Sequence, residues 1–528
     1  MSDEADRRVL RALVARGINV DREALTLLAE ADEFEECVER VTQSLPEGTL
    51  VLTGEHVRSV LDVKGRSSGS PHPNGDPSVS TGTPSPKPPE GGGQTPVETE
   101  GSRSTSTGSE AGAALEPGAA GGTGSRPESP IEITGDITGR STGTGEYKQF
   151  VSLFRDRYER LSAMLRGRVN HRPMRAVRGM PGGSDVELIG MVNDVRSTAN
   201  GHWLIELEDT TGRFPCLVMK DRELAEVVDE LLCDEVIAVT GTLSDDAGIV
   251  FTDEMHFPEV PRTNRPNTAD RHVQAALVSD VHVGSQEFVE EAWERFADWL
   301  HTQEAEPIEY LLIAGDMVEG VGVYPNQDAE LTIIDIYEQY ERFAEHLKSV
   351  PGDLEVVMIP GNHDAVRLAE PQPGFDDELR EIMSAHDARI TGNPSVVTIE
   401  GVSVLMYHGT SFDEVNAELP ETKASYDAIE RTMTQLLKKR HVAPQYGGRT
   451  RIAPEERDYL VIEEVPDVFH AGHVHKLGVG EYHGVRIVNS ACWQAQTDFQ
   501  RSVNIQPDVA YAVILDLDTL SVTARSFS

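Results

Sequence analysis

The chain has 528 residues, with 89 Asp and Glu against 47 Lys and Arg and a formal net charge of −42. That length holds about three to four domains. An acid excess with only nine lysines is the surface of a protein kept hydrated in molar salt, where a Debye length of about 3 Å screens self-repulsion. Cys37, Cys216, Cys233 and Cys492 are scattered without CxxC spacing, which excludes a zinc knuckle or a disulfide framework. The polar start Met1–Asp6 and the lack of any long apolar run exclude a signal peptide and a membrane span, so a cytoplasmic protein without a membrane partner is expected. Acidity does not exclude DNA, because counterion release contributes little to binding in brine.

Residues 1–62 read as a small helical domain. Val9, Leu10, Leu13 and Val14 fall at helical spacing, Asp21 precedes Ala24–Leu28 as a helix start, and Phe34, Val38 and Val41 continue the pattern. Residues 63–146 are dominated by Gly, Ser, Thr, Pro and Glu, with no aromatic before Tyr147. Such a composition predicts a disordered tether. Residues 147–184 open with a helix carrying Phe150, Phe154, Tyr158, Leu161 and Leu165 on one side.

From 185 to 262 the pattern turns to five short strands, at Val186–Val192, Trp203–Asp209, Arg213–Met219, Glu235–Thr240 and Gly248–Thr252, with a helix-like segment at Glu223–Leu232. This matches an OB-fold barrel. Its aromatics Trp203, Phe214 and Phe251 fit either stacking on a single strand or a packed core. From 271 to 528 strands alternate with helices, clearest at Phe288–Leu300 and Ile334–Leu347, which predicts an α/β layered domain.

In that domain five blocks follow apolar runs: Asp280-Val281-His282, Gly315-Asp316, Gly361-Asn362-His363-Asp364, His408-Gly409 and Gly472-His473-Val474-His475. Buried strands ending in loops read this way. Donors two apart on extended backbone point to one side, so each Asp-x-His or His-x-His pair is expected to face one cavity. Oxygen and nitrogen donors without cysteine suit two hard-to-borderline divalent cations.

The ordered set resembles the calcineurin-like metallophosphoesterases, whose fold is a β-sandwich flanked by helices. The resemblance implies Asp280, His282 and His475 around a first metal, Asn362, His408 and His473 around a second, and Asp316 between them. It makes His363 a general acid or transition-state stabiliser, with Asp364 orienting it and His470 supporting a ligand from behind. Glycines 315, 361, 409 and 472 permit tight turns beside the metals.

Further blocks narrow the resemblance: Gly361–Arg367 running on to Glu370-Pro371-Gln372-Pro373, Tyr446-Gly447-Gly448, Leu460–Asp467 and Trp493-Gln494-Ala495-Gln496-Thr497. With a barrel before the phosphoesterase and a helical domain before a tether, the chain resembles the small subunits of archaeal family D DNA polymerases, here from a haloarchaeon. That implies a large catalytic partner subunit, 3′-to-5′ exonuclease activity on single-stranded or mismatched DNA ends, and manganese; the donor set equally accepts magnesium, zinc or iron. A free-standing nuclease of the repair type is the alternative, although that type lacks a barrel before its Asp-x-His block. The cations Lys438, Lys439, Arg440, Arg449 and Arg451, and Arg367 beside the catalytic block, are candidate DNA contacts. The same basic stretch also fits a partner contact or a helix end whose cations complement its dipole.

Overall fold

The computed structural model describes residues 19–20, 24, 27–28, 34–45, 51–65, 131–143, 145–324, 327–502 and 505–528. The helix expected around Val9–Val14, the helix start at Asp21 and the tether from 66 to 130 lie outside the described residues. Near the amino terminus stand α1 (Phe34–Ser44) and α2 (Gly54–Gly65). Val38, Val41, Val57 and Val60 are buried, as helical spacing of apolar residues requires. Asn19–Val20 also pair in parallel with Val51–Leu52, a strand contact too short to leave a sequence pattern.

The end of the expected tether is structured. Strand β1 (Glu132–Thr134) pairs antiparallel with Val396–Thr398, and Ile137 is buried. Ser141 Oγ, Thr142 N–H and Gly143 N–H donate to the buried Glu455 carboxylate at 2.6, 2.7 and 3.1 Å. The alternating run Ile131-Glu132-Ile133-Thr134 is a strand signal, diluted by the Gly- and Thr-rich residues around it. Deleting 131–143 should therefore lower the melting temperature by about 5 °C or more relative to a deletion that stops at 128. Glu455 loses three donors and the sheet an edge strand. Circular dichroism melts in molar potassium chloride check this, and equal melts for the two deletions would return 131–143 to the tether.

Helix α3 (Tyr147–Leu165) buries Leu153, Leu161 and Leu165. A closed five-stranded barrel follows, built from β2 (Asp185–Ser197), β3 (Trp203–Asp209), β4 (Gly212–Val218), β5 (Val236–Leu243) and β6 (Val250–His256) in the order β2-β3-β4-β6-β5. Its interior holds Leu188, Val192, Ile205, Leu207, Phe214, Cys216, Ile237 and Val239, every second residue along the strands, as a half-buried strand dictates. Phe214 is thus core, whereas Phe251 is exposed.

The carboxy-terminal half contains two six-stranded sheets. Its elements run β7 (Gln274–Val278), α4 (Glu290–Leu300), β8 (Ile308–Ala314), α5 (Ile336–Lys348), β9 (Glu355–Ile359), β10 (Arg389–Ile390), β11 (Ser395–Ile399) and β12 (Val402–Met406). Then come α6 (Phe412–Glu418), α7 (Ile429–Lys439), β13 (Val468–Ala471), β14 (Leu477–Tyr482), β15 (Val485–Ser490), α8 (Asp498–Ser502), β16 (Tyr511–Asp516) and β17 (Val522–Ser526). The first sheet has the order β10-β9-β8-β7-β16-β17 and the second β14-β15-β13-β12-β11-β1. Ala275, Leu277, Leu312, Val357 and Ile359 of the first sheet share one core with Val397, Val404, Met406 and Val468 of the second. The alternate residues Ala276, Val278, Leu311, Ile313 and Met358 face a second core with Trp293, Phe296 and Phe343 of α4 and α5. Burial on both faces explains why these strands read as continuous apolar runs. Among the described residues no helix is long and apolar enough to cross a membrane.

Candidate metal centre

Strands β7, β8, β9, β12 and β13 end two or three residues before Asp280, Asp316, Asn362, His408 and His473 respectively. The side chains converge there. Donor atoms of Asp280, His282 and His475 lie within 4.8 Å of one another, and so do those of Asp316, His408 and His473. His282 Nε2 is 3.0 Å from His475 Nε2. Asp316 Oδ2 stands 3.7 Å from His282 Nε2 and 3.2 Å from His408 Nε2, between the two groups. Asn362 Oδ1 is 3.1 Å from His408 Nε2.

The backbone that does this is not extended. Asp280, His282, Asp316, His473 and His475 have φ of 54°, 56°, 52°, 71° and 55°, the left-handed region that non-glycine residues rarely occupy. The Asp-x-His pair therefore converges through two strained residues rather than through strand alternation, and strain of this kind collects at functional sites. Gly315 shows how close the walls come: a Cβ there would lie 2.6 Å from His408 Nδ1.

Electrostatics set the donors' chemistry. Burial pushes the Asp280 carboxyl up, but hydrogen bonds from His282 and His475 outweigh it and hold the group well below the usual range. Asp316 is depressed too, burial being overcome by the charges of His408 and His363. Burial would lower His408, yet Asp316 raises it to about 10. His282 is likewise raised against its burial by Asp280 and Glu319. The cluster thus gathers ionised carboxylates and balances them with imidazole protons, the kind of protons a divalent cation would displace from such a set. His408 Nδ1 lies 2.8 Å from the Ala314 carbonyl, so Nδ1 carries a proton and donates there, while Nε2 faces Asp316 and is the nitrogen that would take a metal on giving up its own proton. The oxygen and nitrogen set fits two such cations.

His363 lines the same cavity, of about 170 Å³. Its Nδ1 lies 2.7 Å from the Glu319 carbonyl, which accepts only, so Nε2 is left to exchange a proton. Asp364 does not orient it. The Asp364 carboxylate accepts from Gly361 N–H at 2.8 Å and Tyr340 O–H at 3.0 Å; adjacent residues in a turn project apart. Burial and the charge of Asp316 push Asp364 up to about 7. His470 contacts Ser490 Oγ at 3.0 Å, which donates to Ser279 Oγ at 2.9 Å beside Asp280. It reaches the ligand loop through two hydroxyls rather than through a ligand side chain.

Residues 275–477 match the model of the B-subunit family of DNA polymerases alpha and epsilon. Over 526 residues the chain is 61% identical to the DNA polymerase II small subunit of Halobacterium salinarum, covering 99% of each chain. The chain belongs to the archaeal DNA polymerase II small subunits. It is also 45% identical to the small subunit of Archaeoglobus fulgidus, over 71% of this chain and 77% of that one.

Four of the six cations expected at a DNA surface are occupied elsewhere in this small subunit. Lys439 is fully buried, 3.2 Å from Glu235 at the start of β5. Lys438 and Lys423 pair with Glu230 in the preceding loop. Arg440, at the end of α7, donates to the Ile462 and Glu463 carbonyls. The lysines clamp the barrel to the sandwich and Arg440 ties the end of α7 to the 462–463 backbone, roles sequence alone does not separate from a basic surface. Arg367 pairs with Glu455 at 2.7 Å and donates to the Pro371 carbonyl, so it braces a loop. Arg449 and Arg451 remain exposed.

Sequence reasoning missed several residues around the cavity. Glu319, buried, lies 2.9 Å from His282 Nδ1 and accepts from Gln494 Nε2 at 2.7 Å. Against its burial, His282 holds it down to about 2. Asp413 Oδ2 stands 3.3 Å from His473 Nε2, and Gln500 Nε2 is 2.9 Å from His475 Nδ1. Gln494 sits in the Trp493–Thr497 block and so had a local signal, whereas Glu319 lies in a loop and had none. Gln500 had none either.

Proposed function

We propose that this chain is the 3′-to-5′ exonuclease of a heteromeric DNA polymerase, hydrolysing phosphodiesters at single-stranded or mismatched 3′ ends beside a large catalytic subunit in the cytoplasm. The observation that carries the reading is the convergence of all seven expected ligands in one cluster, of which His282, Asp316, His473 and His475 line a cavity together with His363. Asp280, His282 and His475 would hold one divalent cation, Asn362, His408 and His473 a second, with Asp316 shared; manganese is the expected ion. Bound there, the two cations would supply an activated water and neutralise charge on an in-line phosphoryl transfer. Water attacks phosphorus and releases a proton to solvent, the bond to the 3′ oxygen of the preceding nucleotide breaks, and the His363 imidazolium gives that oxygen the proton on Nε2, to be recharged from solvent. A deoxynucleoside monophosphate leaves.

The five-stranded barrel is read as an OB-fold whose role is to hold the sandwich and the partner. Lys438 and Lys439 serve that contact. Arg449 is a phosphate-contact candidate, because it is exposed and its charge acts on Asp413 and Tyr426 in the cavity wall.

Oligonucleotides labelled at the 5′ end and carrying a mismatched 3′ terminus test the reading, in molar potassium chloride with manganese. Stepwise shortening from the 3′ end, abolished by chelator, is expected. Degradation only from 5′ ends, or undiminished cleavage in chelator, would sink it.

A further inference from the structure

Phe499 is a phenylalanine left 57% exposed at the edge of the metal cavity. Other large apolar side chains are exposed, among them Tyr147, Tyr446 and Val479, but among the described residues Phe499 is the one that also lines this cavity. Behind it lies Tyr324, near-parallel at an interplanar angle of 27° with ring centroids 6.2 Å apart. Tyr324 is held by its hydroxyl, which stands 3.1 Å from Glu319 and 3.0 Å from Glu330 and gives its one proton to either carboxylate. Phe499 is held through its neighbour Gln500, whose amide meets the ring of His475. The aromatic pair is thus tied from both sides to groups of the metal centre.

We propose that the exposed face of Phe499, backed by Tyr324, is the platform on which the 3′-terminal base of single-stranded DNA stacks while its phosphodiester lies in the cavity. The inference rests on the exonuclease reading above and adds the residue that seats the substrate. Size supports it. A cavity of about 170 Å³ is smaller than the roughly 300 Å³ at which pockets begin to engulf a whole ligand. It takes the phosphate and leaves the base at the rim, where Phe499 stands. Charge supports it as well. A chain of net charge −42 offers the phosphate backbone little attraction, and in brine that attraction is screened. Stacking on a π-face keeps its strength there and accepts any base. A paired terminal base, already stacked in a duplex, must be freed first, so the platform favours frayed or mismatched ends.

The test pairs Phe499→Ala and Phe499→Trp with two oligonucleotides, one ending in a normal 3′ nucleotide and one ending in an abasic residue. Phe499→Ala should raise KM for the normal oligonucleotide by about 5- to 100-fold, the range of one lost base–aromatic stack. It should leave kcat within about threefold, because the residue touches no reacting atom. On the abasic oligonucleotide the same variant should differ little from the parent, and Phe499→Trp should restore the normal KM. Equal loss on both oligonucleotides, or no loss on either, overturns the platform. Hydrolysis of bis(p-nitrophenyl) phosphate by the parent protein is the separate check. If that substrate and both oligonucleotides are untouched in manganese, the nuclease reading itself has failed and the platform falls with it.

Discussion

Asp316→Ala is expected to lose bound metal and cleavage together, whereas His363→Ala is expected to lose cleavage with both metals retained. Asp316 is buried, and its two oxygens serve different neighbours. Oδ1 accepts from His363 N–H at 2.8 Å, while Oδ2 lies between His408 and His282. Removing the carboxylate takes a shared donor from both ligand groups and leaves His408 without the acid that raises it. His363 contributes differently. Its ring is pinned through Nδ1 to a backbone carbonyl, and none of the distances that join the two ligand groups runs through it. Alanine there removes a proton donor worth about 10²–10⁴-fold in rate and leaves the donor set complete. Metal analysis of dialysed variants, beside rates on a labelled oligonucleotide, separates the two. If His363→Ala loses metal as Asp316→Ala does, His363 is a ligand and the leaving group is protonated by something else.

The convergence of the candidate ligands was legible because its signal is local: a buried strand is an apolar run, and a polar residue just beyond it stands at the sheet's edge. Chain order then distributes Asp280, Asp316, Asn362, His408 and His473 over five strand ends without any knowledge of the sheets. Relations that depend on tertiary approach were not legible. Asp364 neighbours His363 in sequence yet turns toward Tyr340, while Glu319, forty-four positions away, holds the ring. The cations at the end of α7 look the same in sequence whether they face water or the barrel; only Glu230 and Glu235 across the contact decide. Strand β1 was hidden for a compositional reason, its three residues outweighed by the tether before them. The left-handed φ at five ligand positions carries no residue-type signal, because packing imposes it on Asp and His.

Asp458→Ala is expected to cost about 3–5 kcal/mol of stability, the price of stranding a buried charge. Asp458 and Arg157 of α3 are both fully buried, with Oδ2 2.7 Å from Arg157 Nε and 3.0 Å from His441 Nε2. Arg157 also reaches the Pro444 carbonyl, so this pair joins α3 to the loop after α7. Salt screens it far less than a surface pair, so the loss should persist in molar potassium chloride, as a fall of about 3–6 °C in the melting temperature. Replacing both partners, Arg157→Met with Asp458→Leu, should recover most of it, because no charge is then left alone. Acid should act through the same group of residues. Burial, with the charge of Arg157, lowers His441 to about 4, so the folded chain resists a proton that the unfolded chain accepts near 6.5. That contribution is complete above about 6.5 and declines as pH falls toward 4. Asp458 is depressed far below the ordinary carboxyl range against its burial, by Arg157 and His441, so its share holds above about 3.9 and is lost as pH falls below that. His441→Gln should therefore flatten the stability profile between about 6.5 and 4 while leaving the steeper loss below it. Thermal melts across that range decide it: an unchanged slope in His441→Gln, or a fall under about 2 °C in Asp458→Ala, would reduce the contact to the weight of a surface ion pair.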